Sequence, residues 1–161
     1  MNGCRVGDHV LDPAQTDYEK RVFYVAHDVT TLVRAGENAL GIMLGNGWYN
    51  QDRVWGGFSY GVPKLFTELH LILADGSFQV IVTDQQWRAS SGPVVDNNIY
   101  AGEAYDARLE QSGWNEPGFD DSAWGIAAKA HTPGGVFEEQ DMPLSRVPAC
   151  GSNRLARRTD G

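Results

Sequence analysis

The segment from Lys64 to Thr83 constrains the fold more than any other part of the chain, because it has the pattern of a β-hairpin. Leucine recurs at alternate positions, among them Leu69 and Leu71, and a period of two is typical of a half-buried strand rather than a helix. Asp75-Gly76 is a strong hairpin-turn signal, and Ser77–Thr83 follows as the partner strand. The chain is therefore expected to be built around β-sheet.

The rest of the 161-residue chain repeats this arrangement of short apolar runs between turns. Arg21–Ala26 is β-rich and largely alternating, and Ala39–Leu44 is a continuous apolar run that predicts a strand buried on both faces. Nineteen glycines and seven prolines supply turns. Asp28–Val33 is the only fair helix candidate, at a single turn, with Asp28 or Thr30 as its cap. About six or more short strands at this spacing predict one all-β domain, a β-sandwich.

Charge and composition exclude several classes of function. The formal net charge is −8, so neither nucleic acid nor a membrane surface is an expected partner. No apolar run reaches the roughly 18 residues of a membrane-spanning helix, and no signal peptide is visible, so the compartment stays unknown. The four histidines fit no zinc spacing, and the two cysteines, Cys4 and Cys150, are expected to be free thiols.

Gly45–Gly61 lacks the pattern of a regular element. It contains five aromatic residues, which argue against disorder, and loops of this length inside a compact domain are usually functional. Sugar rings pack their apolar faces on aromatic side chains, while their hydroxyl groups need polar partners. This loop and the Asp96–Asn98 stretch offer both kinds of group. The alternative is that these aromatic residues only pack the loop or face another domain.

Residues 99–124 carry the densest motifs. Ile99–Arg108 has the sequence I-Y-A-G-E-A-Y-D-A-R and resembles the I-Y-x-G-E-x-Y-D-A-R signature of the N-terminal accessory module of bacterial α-L-rhamnosidases. The G-N-G-W-Y stretch at Gly45–Tyr49 and the M-P-x-x-R-V stretch at Met142–Val147 match the same module in order. The Asp28–Leu40 pattern is similar to that of sugar-binding jelly-roll domains. The resemblance covers roughly residues 2–147.

The resemblance implies a fold and a context. It implies a jelly-roll β-sandwich, similar to galactose-binding domains, over residues 1–147, with 148–161 as a linker or disordered tail. Family members have further strand sequence before the Asn2-Gly3 turn, so the sandwich is expected to lack its first strand or strands. The parent enzymes hydrolyse terminal α-L-rhamnose in a separate (α/α) barrel domain. The expected partners are therefore rhamnose-containing glycosides and that catalytic domain.

Two carboxylates, Glu103 and Asp106, raise the alternative of glycosidase chemistry, which needs such a pair about 5 to 9 Å apart. Three residues apart on a strand, they are expected to point to opposite faces, and Arg108 is a ready partner for Asp106. We therefore predict no catalysis by this domain. A self-standing hydrolase would have to turn over a chromogenic rhamnoside.

The predicted site is a carbohydrate-binding surface for L-rhamnose, with calcium as a candidate cofactor. Related modules in some rhamnosidases hold a calcium ion that touches sugar hydroxyls, and oxygen ligands suit calcium. Asn46 stands where family members often carry Asp, which removes one formal charge. The alternative function is a purely structural β-domain that buttresses the catalytic (α/α) barrel. The predicted carbohydrate-binding residues are Asn46, Trp48, Tyr49, Trp55, Tyr60, Asn98, Tyr100 and Glu103, and the predicted calcium ligands are Asn46, Asp96 and Asn97.

Overall fold

The structure, a computed structural model, describes residues 1–52 and 58–146. The regular elements described there are ten short strands and one 3-10 turn. The all-β fold class is thereby confirmed, and the predicted tail, 148–161, lies outside the described residues. The strands are β1 Arg21–Tyr24, β2 Asn50–Gln51, β3 Phe58–Ser59, β4 Glu68–Ile72, β5 Phe78–Val82, β6 Arg88–Ala89, β7 Val94–Asn98, β8 Gly102–Tyr105, β9 Gly125–Ile126 and β10 Val136–Glu139, with the 3-10 turn Ala107–Leu109 between β8 and β9.

The described strands pair in twos. β2 pairs with β3, β4 with β5, β6 with β9 and β7 with β8, each antiparallel. β1 pairs with β10 in parallel, in a register that places Arg21 beside Val136 and Tyr24 beside Glu139. The β1–β10 pair brings two distant parts of the sequence together. Its centre holds Phe23, which with Met1 makes up the buried hydrophobic residues of the described chain.

The predicted hairpin is confirmed as β4 and β5. Leu69 lies opposite Ile81, and in β4 the leucines are half-buried while the residues between them are exposed. At the turn, Gly76 adopts a φ of +81° and its N–H donates to the Leu73 carbonyl at 2.9 Å. The Asp75 carboxylate accepts the Ser77 N–H at 2.9 Å, as expected of an aspartate that starts a turn.

The expected buried strand at Ala39–Leu44 is wrong. No strand forms there, and Met43 is 62% exposed. The Ala39 carbonyl accepts from the Asn2 N–H at 2.9 Å, and the Ala39 N–H donates to the Asn2 side-chain oxygen at 2.7 Å. Asn2 thus takes both main-chain groups of Ala39, the first residue of the run. An apolar run shows that a segment is hydrophobic but not which partner its backbone finds.

The predicted single turn at Asp28–Val33 is confirmed. The Val29 carbonyl accepts from the N–H groups of Leu32 and Val33. The Asp28 carboxylate accepts the Thr30 N–H at 2.9 Å, and hydrogen bonding by the Thr30 side chain and by this N–H holds the pKa of Asp28 below its usual value. Within residues 1–52 and 58–146, no helix has the length and apolar character needed to cross a membrane.

Gly135 generates a stability prediction, because it packs where β10 approaches the turn before β1. Its N–H donates to the Tyr18 carbonyl at 3.0 Å, and a Cβ at this position would stand 2.7 Å from that oxygen. The β1–β10 pair must then shift. We expect Gly135→Ala to lower the free energy of unfolding by about 2 kcal/mol, measured by urea denaturation.

Gly92 is the matched control for this substitution. A Cβ there would meet nothing within 4 Å, so Gly92→Ala should leave the urea midpoint within experimental error. An equal loss of stability in both variants would contradict the packing argument.

Candidate functional site

The loop 46–51 is built on a turn whose first residue is Asn46. The Asn46 carbonyl accepts from the N–H groups of Tyr49 at 3.1 Å and Asn50 at 3.0 Å. Gly47, at a φ of +47°, takes the left-handed conformation that most side chains disfavour. The turn presents Trp48 and Tyr49 at its tip and leads directly into β2.

The Asn46–Asn97 interlock, formed by these two residues, fastens the loop to β7. The Asn46 N–H donates to the Asn97 side-chain oxygen at 2.7 Å, and the Asn46 side-chain amide donates to the Asn97 carbonyl at 2.8 Å. The Asn50 side chain donates in turn to the Asn46 side-chain oxygen at 3.3 Å. Gly45 lies so close that a Cβ there would stand 3.2 Å from the Asn97 side-chain oxygen. The structure thus brings together two of the predicted site residues.

Asn98, Tyr100 and Glu103 lie around the turn between β7 and β8. Asn98 is 6% exposed, and its side-chain oxygen accepts from the N–H groups of Tyr100 at 2.9 Å and Ala101 at 3.1 Å, so it holds the turn. Tyr100 is exposed. Glu103 is exposed and lies opposite Asn97 in the register of the two strands. Residues opposite each other share a face of the sheet, so Glu103 extends the surface next to the interlock.

Three tyrosines form a second group, the tyrosine cluster of Tyr18, Tyr49 and Tyr60. The ring centroids of Tyr18 lie 5.0 Å from those of both Tyr49 and Tyr60, in edge-on contact, and Tyr49 and Tyr60 are 5.5 Å apart. Such spacing is typical of favourable aromatic contacts. Burial, reinforced by the two neighbouring tyrosines, raises the pKa of Tyr18 to about 12.

Tyr18 and Lys64 were missed as site residues by the sequence reasoning. The Lys64 ammonium donates to the Tyr49 hydroxyl at 2.7 Å and lies 5.1 Å from the centroid of the Tyr49 ring. Tyr18 begins the Y-E-K-R-V-F-Y stretch at Tyr18–Tyr24, which also resembles the accessory module, and that resemblance was the one available signal. Its contact with Tyr49 and Tyr60 depends on tertiary packing and has no local pattern.

The two predicted tryptophans, Trp48 and Trp55, are not part of the tyrosine cluster as the structure describes it. The Trp48 indole N–H donates to the Leu11 carbonyl at 3.3 Å, so the polar edge of the half-buried ring is directed at the chain rather than at a ligand. Trp55 lies outside the described residues. Trp48 therefore anchors the tip of the loop. Tyr49 is the residue of the loop 46–51 that belongs to the tyrosine cluster.

The predicted calcium ligands do not form an oxygen cage as they stand. Calcium takes about six to eight oxygen ligands. The Asn97 side-chain oxygen already accepts the Asn46 N–H, and the Asn46 side chain turns its nitrogen to Asn97. Asp96 precedes Asn97 in β7, and successive strand residues point to opposite faces. Among the described residues, no group of three or more His, Cys, Asp or Glu side chains is placed to hold a metal. Calcium stays a prediction.

Asp106 is engaged in local structure. It lies just beyond β8 and caps the 3-10 turn, and its carboxylate accepts from the Arg108 guanidinium at 2.6 and 2.8 Å. Its pairing with Arg108 is as predicted, and these hydrogen bonds hold the pKa of Asp106 below its usual value. A general acid of a glycosidase needs the opposite shift. The nearby Tyr105 hydroxyl donates to Glu110, which raises the pKa of Tyr105.

These elements define the class of the protein: an all-β sandwich domain with aromatic and amide side chains gathered around one loop. Residues 1–148 match the family described as the alpha-L-rhamnosidase N-terminal domain. An alpha-L-rhamnosidase of Formosa agariphila is 46% identical over 156 residues, covering 92% of this chain and 16% of that protein. One of Streptomyces avermitilis is 47% identical over 126 residues, covering 77% of this chain and 12% of its own length.

Solved structures agree with the sequence matches. The alpha-L-rhamnosidase from Dictyoglumus thermophilum superposes with a TM-score of 0.81 at 46% identity, covering 88% of this chain and 16% of that one. The Streptomyces avermitilis enzyme complexed with L-rhamnose gives 0.72 at 38% identity, covering 83% of this chain and 13% of that one. The chain belongs to the alpha-L-rhamnosidase N-terminal domain family. It spans 16% of the length of the Formosa relative.

Asn97 generates a prediction about the interlock. Removal of its side chain leaves the Asn46 N–H without its partner, and an unsatisfied, partly buried donor costs free energy. We expect Asn97→Ala to lower the free energy of unfolding by about 1 to 2 kcal/mol, measured by urea denaturation. Near-ultraviolet circular dichroism should report loosened aromatic packing of the loop.

The conservative variant Asn97→Asp is the control, since a carboxylate oxygen still accepts the Asn46 N–H. We expect it to recover most of the lost stability. Equal losses in the two variants would show that the hydrogen bond is not the source of the effect.

Proposed function

We propose that this chain is the non-catalytic carbohydrate-binding accessory module of an α-L-rhamnosidase, a glycoside hydrolase acting on terminal α-L-rhamnose. The observation that carries the proposal is the loop 46–51, which is fastened to β7 through Asn97 and brings Tyr49 against Tyr18 and Tyr60. A sugar presents apolar C–H faces and polar hydroxyls, and this loop offers aromatic faces beside amides. Fastening the loop lowers the ordering cost of binding.

L-Rhamnose is the ligand we propose for this surface. The Streptomyces avermitilis relative has been solved in complex with that sugar. The polar rim of the surface is Asn46 together with the exposed Glu103 beside Asn97. No bond-breaking step is assigned to the described residues, because Asp106 is held by Arg108. Turnover of a chromogenic α-L-rhamnoside by the purified chain alone would overturn the non-catalytic proposal.

The proposal predicts the outcome of a calorimetric titration with L-rhamnose. We expect weak, saturable binding, and we expect Tyr49→Ala to weaken it about tenfold, because about 1.4 kcal/mol of aromatic contact is lost. Tyr24→Ala is the matched control. Tyr24 is an exposed tyrosine in β1, and its substitution should leave the affinity unchanged.

The same titration, with calcium and then with chelator, tests whether sugar binding depends on calcium. Binding that disappears with chelator would establish a calcium-dependent site, and unchanged binding would remove calcium from the proposal.

A second candidate function has its own supporting observation. Apolar side chains of the β4–β5 hairpin are widely exposed: Ile72 by 82% and Phe78 by 61%. At the opposite end of the hairpin from Ile72 and Phe78, Phe66 stacks on Phe137 of β10 at 5.0 Å, and each of these two rings is more than half exposed. Extensive exposed apolar surface marks an interaction site in soluble proteins. This surface supports a structural β-domain that buttresses the catalytic (α/α) barrel, and the two functions are compatible.

The docking function predicts how the isolated chain behaves in solution. We expect it to self-associate as its concentration rises and to bind a hydrophobic dye, since removing the exposed apolar area from water is favourable. The double substitution Ile72→Thr with Phe78→Thr should reduce both signals, measured by sedimentation velocity and dye fluorescence, while the affinity for L-rhamnose stays the same. Unchanged self-association in the double variant would contradict a docking role for the hairpin.

A further inference from the structure

We propose that Lys64 and the hydroxyl of Tyr49 form an oxyanion-binding site at the edge of the tyrosine cluster, and that its ligand is a saccharide bearing a carboxylate, a uronic acid. This inference rests on the proposed carbohydrate function and names the class of sugar. It assigns a cationic contact to a surface for which the sequence predicted aromatic, amide and acidic residues only.

The direction of the hydrogen bond between Lys64 and Tyr49 shows which N–H and O–H groups remain available to a ligand. An ammonium group has three donors and no acceptor. In the 2.7 Å hydrogen bond between them, Lys64 therefore donates and the Tyr49 oxygen accepts. The Tyr49 hydroxyl proton is left to donate elsewhere, and Lys64 keeps further N–H donors. Two adjacent donors, one of them charged, suit an anionic oxygen better than a neutral hydroxyl.

The charge of Lys64 is not neutralised by the described part of the chain. No carboxylate of residues 1–52 or 58–146 lies within ion-pair distance of its ammonium group, and Lys64 is exposed. Lys20 provides the contrast, because its ammonium is paired with the Asp17 carboxylate at 2.8 Å. Lys64 is therefore an exposed cation without an ion-pair partner among the described residues, in a protein of net charge −8.

The position of Lys64 relative to the rings favours a sugar over a free anion. The ammonium lies 5.1 Å from the Tyr49 ring centroid, at the border of three contacting aromatic rings. A pyranose ring placed on the aromatic surface brings a substituent at its edge to the ammonium and the hydroxyl. A carboxylate at that position satisfies both donors, while the C–H face of the sugar packs on the tyrosines.

The test compares a charged sugar with its neutral counterpart on the full chain. D-Galacturonate and D-galactose are titrated separately by calorimetry at low ionic strength and pH 7. We expect galacturonate to bind about three- to fivefold more tightly, the size of an exposed ion pair, and we expect the preference to fade in roughly 0.5 M salt. Lys64→Met, which keeps the apolar stem, should abolish the preference.

Lys129→Met is the control for net charge, since no hydrogen bond or ring contact of the described residues joins Lys129 to the cluster. It should retain the preference. Equal affinity for the two sugars in the natural chain, binding of neither, or equal loss of preference in both lysine variants would each overturn the inference. L-Rhamnose titrated in parallel separates the proposals: rhamnose binding without a uronate preference overturns only this inference, and uronate binding without rhamnose binding overturns only L-rhamnose as the ligand.

Discussion

The Asn46–Asn97 interlock is the interaction on which the candidate site depends. Its two hydrogen bonds, at 2.7 and 2.8 Å, join residues 51 positions apart in the sequence. They fix the start of a turn whose carbonyl then orders Tyr49 and Asn50. Without this fastening, the tip of the loop would have to be ordered by a ligand, at a cost in affinity. Amide side chains suit this role because each offers both donors and an acceptor.

The tyrosine cluster combines aromatic packing with one charged contact. Tyr18 is partly buried and keeps its proton to high pH, with its pKa raised to about 12. Tyr49 is joined to the exposed Lys64 by a hydrogen bond. The β4–β5 hairpin presents exposed apolar side chains, and none of them belongs to the tyrosine cluster.

Local patterns in the sequence predicted local structure well. The hairpin at Asp75-Gly76, the capped turn at Asp28 and the Asp106–Arg108 pair are all as expected, because turn chemistry and strand alternation are properties of a few adjacent residues. The strand predicted at Ala39–Leu44 was wrong for the opposite reason. Its first residue, Ala39, bonds to Asn2, which is far away in the sequence, and no pattern within the segment indicates that partner.

The sequence by itself determined the class of fold, the family and most of the turns, since these follow from alternation, turn residues and dense motifs. Only the tertiary structure decided which predicted residues meet. It joined Asn46 to Asn97, turned the Trp48 indole to Leu11, and gathered Tyr18 and Lys64 around Tyr49. The physical reason is that contacts between distant residues depend on how strands pair and loops fold back, and backbone hydrogen bonds that must be satisfied on folding choose among the possible pairings.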